Sequence, residues 1–285
     1  MTLYEEVRAA LRETQFRPKK SLGQNFLIHE RVIESILRLL DLVPDDRVLE
    51  IGPGLGFLTR CLLERAASVC AVEVDTALIE RLCASGFARN PKLNLIVGDI
   101  LAISPELLPD GKLKLVGNLP YSISTPVLFR IFDWRAHFSR LVLMVQKEVA
   151  DRIAAVPGTK DYGTLSIWSQ VYGRITEKVS VSPEAFFPRP KVRSTVLKIE
   201  LFDEPLIGAN ETPALRHLIR AAFGQRRKTL SNALASAARR SRAEIEKFLE
   251  SQNIDPQRRG ETLSVQEYVG LASAAHRQSL LTIDN

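Results

Sequence analysis

Short apolar runs alternate along this chain with segments of helical pattern. The runs are rich in Val, Ile and Leu and are bounded by turn residues; they are 47–51, 69–74, 93–97, 112–117 and 140–145. Such runs are typical of strands that are buried on both faces. Helix-like segments lie between most of them, at 57–66, 76–85 and 124–134. The alternation predicts a parallel sheet in an α/β domain.

The pattern changes twice further along the chain. Residues 174–181 and 191–201 alternate apolar and polar side chains and predict an antiparallel pair at one edge of the sheet. From about residue 206 the segments are helical, and Ser264 to Glu267 is a capping-box pattern that opens a last helix. We therefore expect two domains, an α/β domain over 1–205 and a small all-α domain over 206–285.

Composition excludes some classes of protein and favours a reducing compartment. The 285 residues are 45% hydrophobic and 25% charged, as in an ordinary soluble protein. No apolar run reaches the roughly 18 residues of a membrane span, and the N-terminus lacks the apolar core of a secretory signal. The three cysteines are odd in number and the four histidines are scattered. We expect reduced thiols, no metal site and a cytoplasmic location.

The charge distribution favours an anionic partner. The net charge is +6, and residues 206–285 carry 12 Lys and Arg against 8 Asp and Glu. Basic clusters occur at 17–20, 226–228, 239–240 and 258–259. For any one cluster alone, a solvated helix face explains the charges equally well.

A glycine-rich loop follows the first strand, in the sequence VLEIGPGLGFLT. Gly52, Gly54 and Gly56 allow a tight turn and a close approach of the backbone to a ligand at a helix N-terminus. The spacing departs from a dinucleotide fingerprint because Phe57 stands where that fingerprint has its third glycine. A packing turn without a ligand can have the same pattern.

Two acidic residues end the next two strands. Glu73 lies 21 residues after Gly52 and can hydrogen-bond both hydroxyls of a ribose, whereas a helix cap is its alternative role. Asp99 can accept the amine of an adenine with Ile100 against the ring, although turn formation explains Asp99 equally well. The order of the loop and the two acids resembles the S-adenosylmethionine site of class I methyltransferases.

The sequence Asn118-Leu119-Pro120-Tyr121 follows the fourth strand. An exocyclic amine of a nucleobase is a poor nucleophile unless two acceptors take its hydrogens and aim its lone pair. The Asn118 side-chain oxygen and the Leu119 carbonyl, held extended before Pro120, are suitable acceptors. Tyr121 offers a flat face for an extruded base. In isolation, these four residues also fit a simple turn with a core tyrosine.

These motifs together resemble the small-subunit rRNA adenine N6,N6-dimethyltransferases. Longer segments agree in order from about residue 15 to residue 275; they are SLGQNFL, VQKEVADRI, AFFPRPKVRSTV, AFGQRRKTLSNAL and IDPQRRGETLSVQEY. The resemblance implies a Rossmann-like class I methyltransferase domain with a small helical C-terminal domain. It also implies dimethylation of two adjacent adenosines in the 3′-terminal hairpin loop of 16S rRNA, within a late pre-30S particle. A monomer that also serves as a late assembly checkpoint is part of the same expectation.

The resemblance assigns roles residue by residue. It places S-adenosylmethionine, with S-adenosylhomocysteine as product, against Asn25, Leu27, Gly52, Gly54, Glu73, Asp99 and Asn118. The catalytic set comprises Asn118, Leu119, Pro120, Tyr121 and Phe186. Phe186 matches the aromatic that stacks on the target base opposite Tyr121, but neighbouring Phe187 leaves this choice open.

The basic clusters receive roles in RNA binding. Residues 15–30 are expected to form a lid segment in which Lys19 and Lys20 meet phosphate, with a solvated arm as the alternative. Arg226, Arg227 and Lys228 are expected to dock the rRNA backbone, a contact that depends on salt and ignores sequence.

Two other functions fit parts of the pattern. Antibiotic-resistance methyltransferases that act on a large-subunit rRNA adenosine share the glycine loop and the Asn-Leu-Pro-Tyr motif. A binding protein on the same scaffold, such as a mitochondrial transcription factor or an assembly factor, would not need a complete catalytic set. The C-terminal motifs argue against the first alternative, and the intact set from Gly52 to Tyr121 argues against the second.

Overall fold

The computed structural model describes residues 3–13 and 16–280. Contacts divide the chain into two compact units. The first runs to Ala150 and resumes over Arg174–Leu201; the second comprises Asp151–Gly173 and the chain from Phe202 onward. Within the described residues, no helix combines the length and apolar character needed to cross a membrane.

The first unit is a sheet covered by helices. Its strands are β1 (Phe26–Leu27), β2 (Arg47–Ile51), β3 (Ser68–Glu73), β4 (Leu93–Val97), β5 (Leu113–Asn118), β6 (Phe138–Gln146), β7 (Gly173–Val181), β8 (Phe186–Phe187) and β9 (Ser194–Leu201). Its helices are α1 (Leu3–Glu13), α2 (Glu30–Leu40), α3 (Phe57–Arg65), α4 (Thr76–Ala84), α5 (Ser124–Asp133) and α6 (Lys147–Ile153), the last of which continues into the second unit.

The seven-stranded sheet has the order β4-β3-β2-β5-β6-β9-β7. The strands from β2 to β6 pair in parallel, and β9 pairs with β6 antiparallel. The predicted α/β class, the positions of the five strands and the late pair at one edge are confirmed. The expectation of burial on both faces is wrong for β4, an edge strand with no buried residue and with Val97 56% exposed. The chain leaves β2 first toward β4 and then returns to β5 on the other side, so the crevice between β2 and β5 is the topological switch point where ligands bind in such sheets.

The second unit is helical and larger than predicted. It contains α7 (Thr164–Tyr172), α8 (Thr212–Gly224), α9 (Leu230–Ala238), α10 (Arg242–Ser251) and α11 (Val265–Arg277). The predicted boundary at residue 206 omitted Asp151–Gly173, which belongs to this unit. The reason is packing: α7 contacts α8 and α11, and the ring of Tyr162 packs edge-to-face against Phe223 of α8, with ring centroids 6.2 Å apart.

Candidate active site

The glycine loop has the backbone geometry that its sequence predicts. Gly52, Gly54 and Gly56 have φ values of 71°, 57° and 82°, a region that L side chains rarely adopt. A Cβ atom on Gly52 would meet no atom within 4 Å, so open space lies beside this backbone. A Cβ atom on Gly56 would come within 2.7 Å of the Leu82 side chain. The first glycine therefore faces a cavity, whereas the third permits helix packing.

Glu73 lies on the wall of this cavity, at the end of β3. One carboxylate oxygen accepts the Asp75 main-chain N–H at 2.9 Å, and the other accepts that of Gly54 at 3.3 Å. Burial raises the pKa of Glu73; these N–H groups oppose the rise, and the Asp75 charge adds to it. The side chain thus ties the glycine loop to the next strand end. A carboxylate beside the open space at Gly52 is suited to accept hydrogen bonds from the ribose of S-adenosylmethionine, the cofactor that the motifs predict.

Asp99 and Ile100 complete this side of the cavity. Asp99 is exposed, and one of its carboxylate oxygens accepts the Leu101 N–H at 2.9 Å, which leaves the other available to a ligand. Ile100 is 5% exposed and lines the cavity. The turn role and the ligand role of Asp99 are therefore compatible.

A buried acid next to the glycine loop is a feature that the sequence analysis missed. Glu50 is 2% exposed, lines the cavity and accepts the Thr59 hydroxyl at 2.7 Å. Burial raises its pKa to about 7; the Thr59 hydrogen bond opposes the rise, and the negative charge of Glu73 adds to it. An acidic residue inside an otherwise apolar strand sequence was the available signal.

The Asn118 loop lies across the switch point from Glu73. Asn118 ends β5, and its side-chain Nδ2 donates to the main-chain carbonyl of Asn25 at 3.0 Å. Leu119 donates its N–H to the Met144 carbonyl at 3.0 Å. Among the described residues, no group donates to Asn118 Oδ1 or to the Leu119 carbonyl. Two acceptors therefore remain unpaired in the loop that lines the cavity.

Tyr121 is held by a residue that the sequence analysis did not identify. Its hydroxyl lies 2.9 Å from the Ser194 hydroxyl, which is fully buried at the start of β9. Burial raises the pKa of Tyr121, and the Ser194 hydrogen bond opposes the rise. The ring is half-buried and lines the cavity, so its plane is oriented while part of the ring stays accessible.

The lid segment is fastened to the cavity at several points. Lys19 Nζ and Gln24 Nε2 each lie 2.7 Å from a different oxygen of the Asp75 carboxylate. Gly23 approaches Pro120, where an added Cβ would be 3.2 Å from the proline Cβ. The main-chain carbonyl of Asn25 adds a third attachment, because it accepts the hydrogen bond from Asn118 Nδ2. The ammonium of Lys19, predicted to meet phosphate, is thus paired with Asp75. The side chain of Lys20 and the whole of residue 15 lie outside the described part of the chain.

Phe186 is placed differently from its predicted role. It pairs with Leu27 across the short β1–β8 ladder and is 3% exposed in the hydrophobic core. Phe187 pairs with Phe26 and is partly exposed. Neither ring lines the cavity, although Asn25 and Leu27 do. Phe186 would have to leave the core in order to stack on a base.

The basic cluster of the second unit divides into two kinds of residue. Arg226 donates to the carbonyls of Lys160 and Tyr162 at 3.2 Å and lies over the Phe223 ring. Arg227 and Lys228 are exposed and have no ion-pair partner in the described part of the chain. Arg226 therefore has a structural contact that the predicted RNA role did not include, and the other two side chains remain available to an anion.

The described residues contain no cluster of three or more His, Cys, Asp and Glu side chains that could hold a metal ion.

The parallel sheet, the positive-φ glycine loop and the acids at successive strand ends converge on one cavity. Together they define a Rossmann-like methyltransferase of class I.

Comparisons with known proteins identify the family. The family model for ribosomal RNA adenine dimethylase matches residues 15–271, so the chain belongs to this family of S-adenosylmethionine-dependent enzymes. A "Ribosomal RNA small subunit methyltransferase A" from Geobacter metallireducens is 45% identical over 269 residues, covering 93% of this chain and 98% of the relative. A protein of the same name from Syntrophotalea carbinolica is 46% identical over 257 residues, covering 90% and 96%.

Solved structures support the fold. A dimethyladenosine transferase from Plasmodium falciparum has a TM-score of 0.78 at 24% identity, covering 89% of this chain and 98% of its own. The 23S rRNA methyltransferase ErmE has a TM-score of 0.66 at 25% identity, covering 88% and 99%.

Proposed function

We propose that this protein uses S-adenosylmethionine to convert two adjacent adenosines of small-subunit rRNA into N6,N6-dimethyladenosine. The proposed site is the 3′-terminal hairpin loop of 16S rRNA in a pre-30S particle. The observation that carries this proposal is the Asn118–Asn25 hydrogen bond. It occupies the donor side of the Asn118 amide and leaves Oδ1 to accept from an amine.

The proposed cofactor residues surround one end of the cavity. Gly52 and Gly54 provide the open backbone, Glu73 and Asp99 provide acceptors for ribose and adenine, and Leu27 adds an apolar wall. S-adenosylmethionine supplies an electrophilic methyl group when it is bound. Asn25 contributes indirectly, because its carbonyl orients Asn118.

The proposed chemistry is activation of the adenine N6 amine by position. Asn118 Oδ1 and the Leu119 carbonyl accept hydrogen bonds from its two N–H groups, so that the nitrogen becomes tetrahedral and its lone pair is no longer delocalised into the ring. The new N–C bond would replace the C–S bond of the methyl donor, and the proton that the nitrogen loses would pass to solvent. Tyr121 supports the extruded base. No strong general base is needed, because placing a nucleophile near a good electrophile removes much of the barrier.

Substrate docking is proposed for the exposed basic side chains. Arg227 and Lys228 would contact the rRNA backbone, while RNA shape selects the site. Lys19 is a weaker candidate than these two, because Asp75 already pairs with its ammonium. A cytoplasmic monomer that also acts as a late assembly checkpoint is the remaining part of the proposal.

The large-subunit alternative has one observation in its favour, the likeness to ErmE. The names of the 45% and 46% identical relatives favour the small subunit. A binding factor without catalysis has less support, because the cavity, the acids and the two unpaired acceptors are all present.

Tritiated S-adenosylmethionine should be incubated separately with undermethylated 30S particles and with 50S particles, followed by separation of the digested nucleosides. We expect label in N6,N6-dimethyladenosine from the 30S rRNA. Label only in 50S rRNA would assign the protein to the large-subunit enzymes. Particle binding without label would leave a binding or assembly factor.

A further inference from the structure

Helix α1 precedes the motifs that define the family, and the family match begins only at residue 15. The helix nevertheless has a buried face. Val7 is 0% exposed and Leu3 is 4% exposed, whereas Tyr4 and Arg8 point to solvent. An isolated helix of 11 residues is only marginally stable in water, so α1 depends on such packing.

The buried face of α1 contacts the parts that form the cofactor cavity. Val7 belongs to one apolar cluster with Phe26 of the lid segment, Leu55 of the glycine loop and Leu78 of α4. Phe16 adds an edge-to-face contact with Phe26, at 6.1 Å between ring centroids. Val7 therefore belongs to a cluster that brings three separate segments together around the site.

Phe26 connects this cluster to the cavity itself. Its ring lines the cavity and would lie 3.3 Å from a Cβ atom on Gly54. The neighbouring Asn25 carbonyl holds Asn118. A displacement of Phe26 would consequently disturb both the glycine loop and the proposed catalytic loop.

Two polar contacts of α1 with the rest of the first unit are long. The Leu3 N–H donates to Glu30 at 3.4 Å, and Arg60 lies 3.4 Å from Glu6 with half of its side chain exposed. Solvent-exposed ion pairs of this kind contribute little. Among the described side chains of α1, Val7 is the one that shares the apolar cluster with Phe26 of the lid segment.

We propose that α1 is a brace that holds the lid segment against the glycine loop, and that Val7 is a positioning residue for the cofactor. This inference rests on the proposed cofactor role of the cavity. Without the packing of α1, the lid segment would keep its hydrogen bonds to Asp75 and the β1–β8 pairing. It would lose the apolar packing with Val7. The brace should slow cofactor release without touching the cofactor.

The test compares Val7→Asp, Val7→Ala and Val7→Ile with the matched surface variant Arg8→Ala in the full chain. Hydrogen exchange of residues 16–28 in cofactor-free protein should be fastest in Val7→Asp, intermediate in Val7→Ala and near wild type in Val7→Ile and Arg8→Ala. S-adenosylhomocysteine should dissociate about tenfold faster from Val7→Ala, the factor expected for loss of one buried aliphatic contact, and faster still from Val7→Asp, which also places a carboxylate at a buried position. KM for S-adenosylmethionine should rise by a similar factor, and kcat at saturation should fall by a smaller factor, because the bound cofactor holds the lid segment in place.

Unchanged exchange in the lid segment of Val7→Asp and Val7→Ala would overturn the brace. Faster lid exchange with unchanged S-adenosylhomocysteine release would overturn the positioning role of Val7. If Val7→Asp does not fold, Val7→Ala carries the comparison. A wild-type protein that binds no S-adenosylhomocysteine would instead refute the proposed cofactor site, and the exchange measurement would still decide whether α1 holds the lid segment.

Discussion

The side-chain amide of Asn118 donates to the main-chain carbonyl of Asn25 at 3.0 Å, across 93 residues of sequence. The bond joins the lid segment to the proposed catalytic loop. It also fixes which end of the amide faces the cavity, because an amide has donors at one end and acceptors at the other. The lid segment and the catalytic loop are therefore expected to be ordered together.

The first prediction concerns Asn118. Asn118→Ala removes a proposed acceptor for the target amine and should lower kcat by at least about a hundredfold, the scale found when one oriented polar group is removed from an active site. Particle binding should be largely retained, because the substitution removes no charge. Ser122→Ala, at an exposed serine in the same loop, is the matched control. Wild-type methyl transfer by Asn118→Ala would show that the catalytic assignment is wrong.

The second prediction separates the ring of Tyr121 from its hydroxyl. Tyr121→Ala removes a stacking surface and should reduce kcat/KM by roughly tenfold or more, since stacking on an aromatic side chain contributes about 1–3 kcal/mol per base. Tyr121→Phe keeps the ring and loses only the contact with Ser194, so its loss should be smaller. Ser194→Ala should match Tyr121→Phe. Equal losses for the phenylalanine and alanine variants would indicate that the hydroxyl, and not the ring, matters.

The third prediction concerns the clasp between Lys19 and Asp75. Asp75 also caps α4 by accepting the Ala77 N–H, so Asp75→Asn is preferable to Asp75→Ala because it retains that cap. Asp75→Asn and Lys19→Met should each weaken S-adenosylhomocysteine binding several-fold, and the double variant should be no worse than either alone. Calorimetric titration of the four proteins checks this. Additive losses would show that the two side chains act separately.

The clasp should also persist in mild acid. Burial tends to raise the pKa of Asp75, but the hydrogen bonds from Lys19, Gln24 and Ala77 outweigh it, and the pKa is lowered overall. A carboxyl with a lowered pKa contributes stability above its unfolded pKa and loses it as the pH falls through the folded pKa. Between pH 5 and pH 8 the Asp75 contribution should therefore be constant. The stability difference between wild type and Asp75→Asn, measured across this range, checks the prediction.

The fourth prediction separates the basic residues of the second unit. The double variant Arg227→Ala, Lys228→Ala should weaken binding to 30S particles and lower the slope of log K against log salt by about 2 if each residue meets one phosphate. Arg226→Ala should instead lower the melting temperature, because it removes hydrogen bonds to the Lys160 and Tyr162 carbonyls. An unchanged salt slope in the double variant would remove both residues from the RNA surface.

The fifth prediction uses the buried carboxyl of Glu50. Its pKa of about 7 lies above the ordinary value of 4.5, so the folded state holds a proton that the unfolded state releases. Stability from this group is present below pH 4.5 and is lost as the pH rises toward 7, by about 3 kcal/mol in total. Glu50→Gln should reduce this dependence between pH 5 and pH 7 in urea denaturation. Glu34→Gln, on the exposed face of α2, should not.

The strand positions and the glycine loop were predictable because their signals are local. A strand buried on both faces requires a continuous apolar run, and a turn with positive φ values favours glycine. These rules place β2 at residues 47–51 and require glycine at positions 52 and 54 before any contact is known. Glu73 and Asp99 followed from their positions at strand ends.

Contacts between distant segments were not predictable in the same way. The bond from Tyr121 to Ser194 and the placement of Phe186 in the core depend on side chains that meet only after the sheet has formed. The assignment of Asp151–Gly173 to the helical unit has the same origin, because an apolar helix face does not specify its partner. Two adjacent phenylalanines likewise look alike until the β1–β8 pairing turns one inward.

Local sequence was enough to predict the order of the main strands and of the helices between them, the conformation of the glycine loop and the residue types at each strand end. These properties depend on neighbouring residues and on the periods of helices and strands. The pairing of Lys19 with Asp75, the bonds from Arg226 to carbonyls and the packing of Val7 with Phe26 of the lid segment depend on the folded arrangement of the chain. The physical reason is that a side chain's partner depends on which segments the fold brings within a few ångströms, and local sequence does not contain that distance.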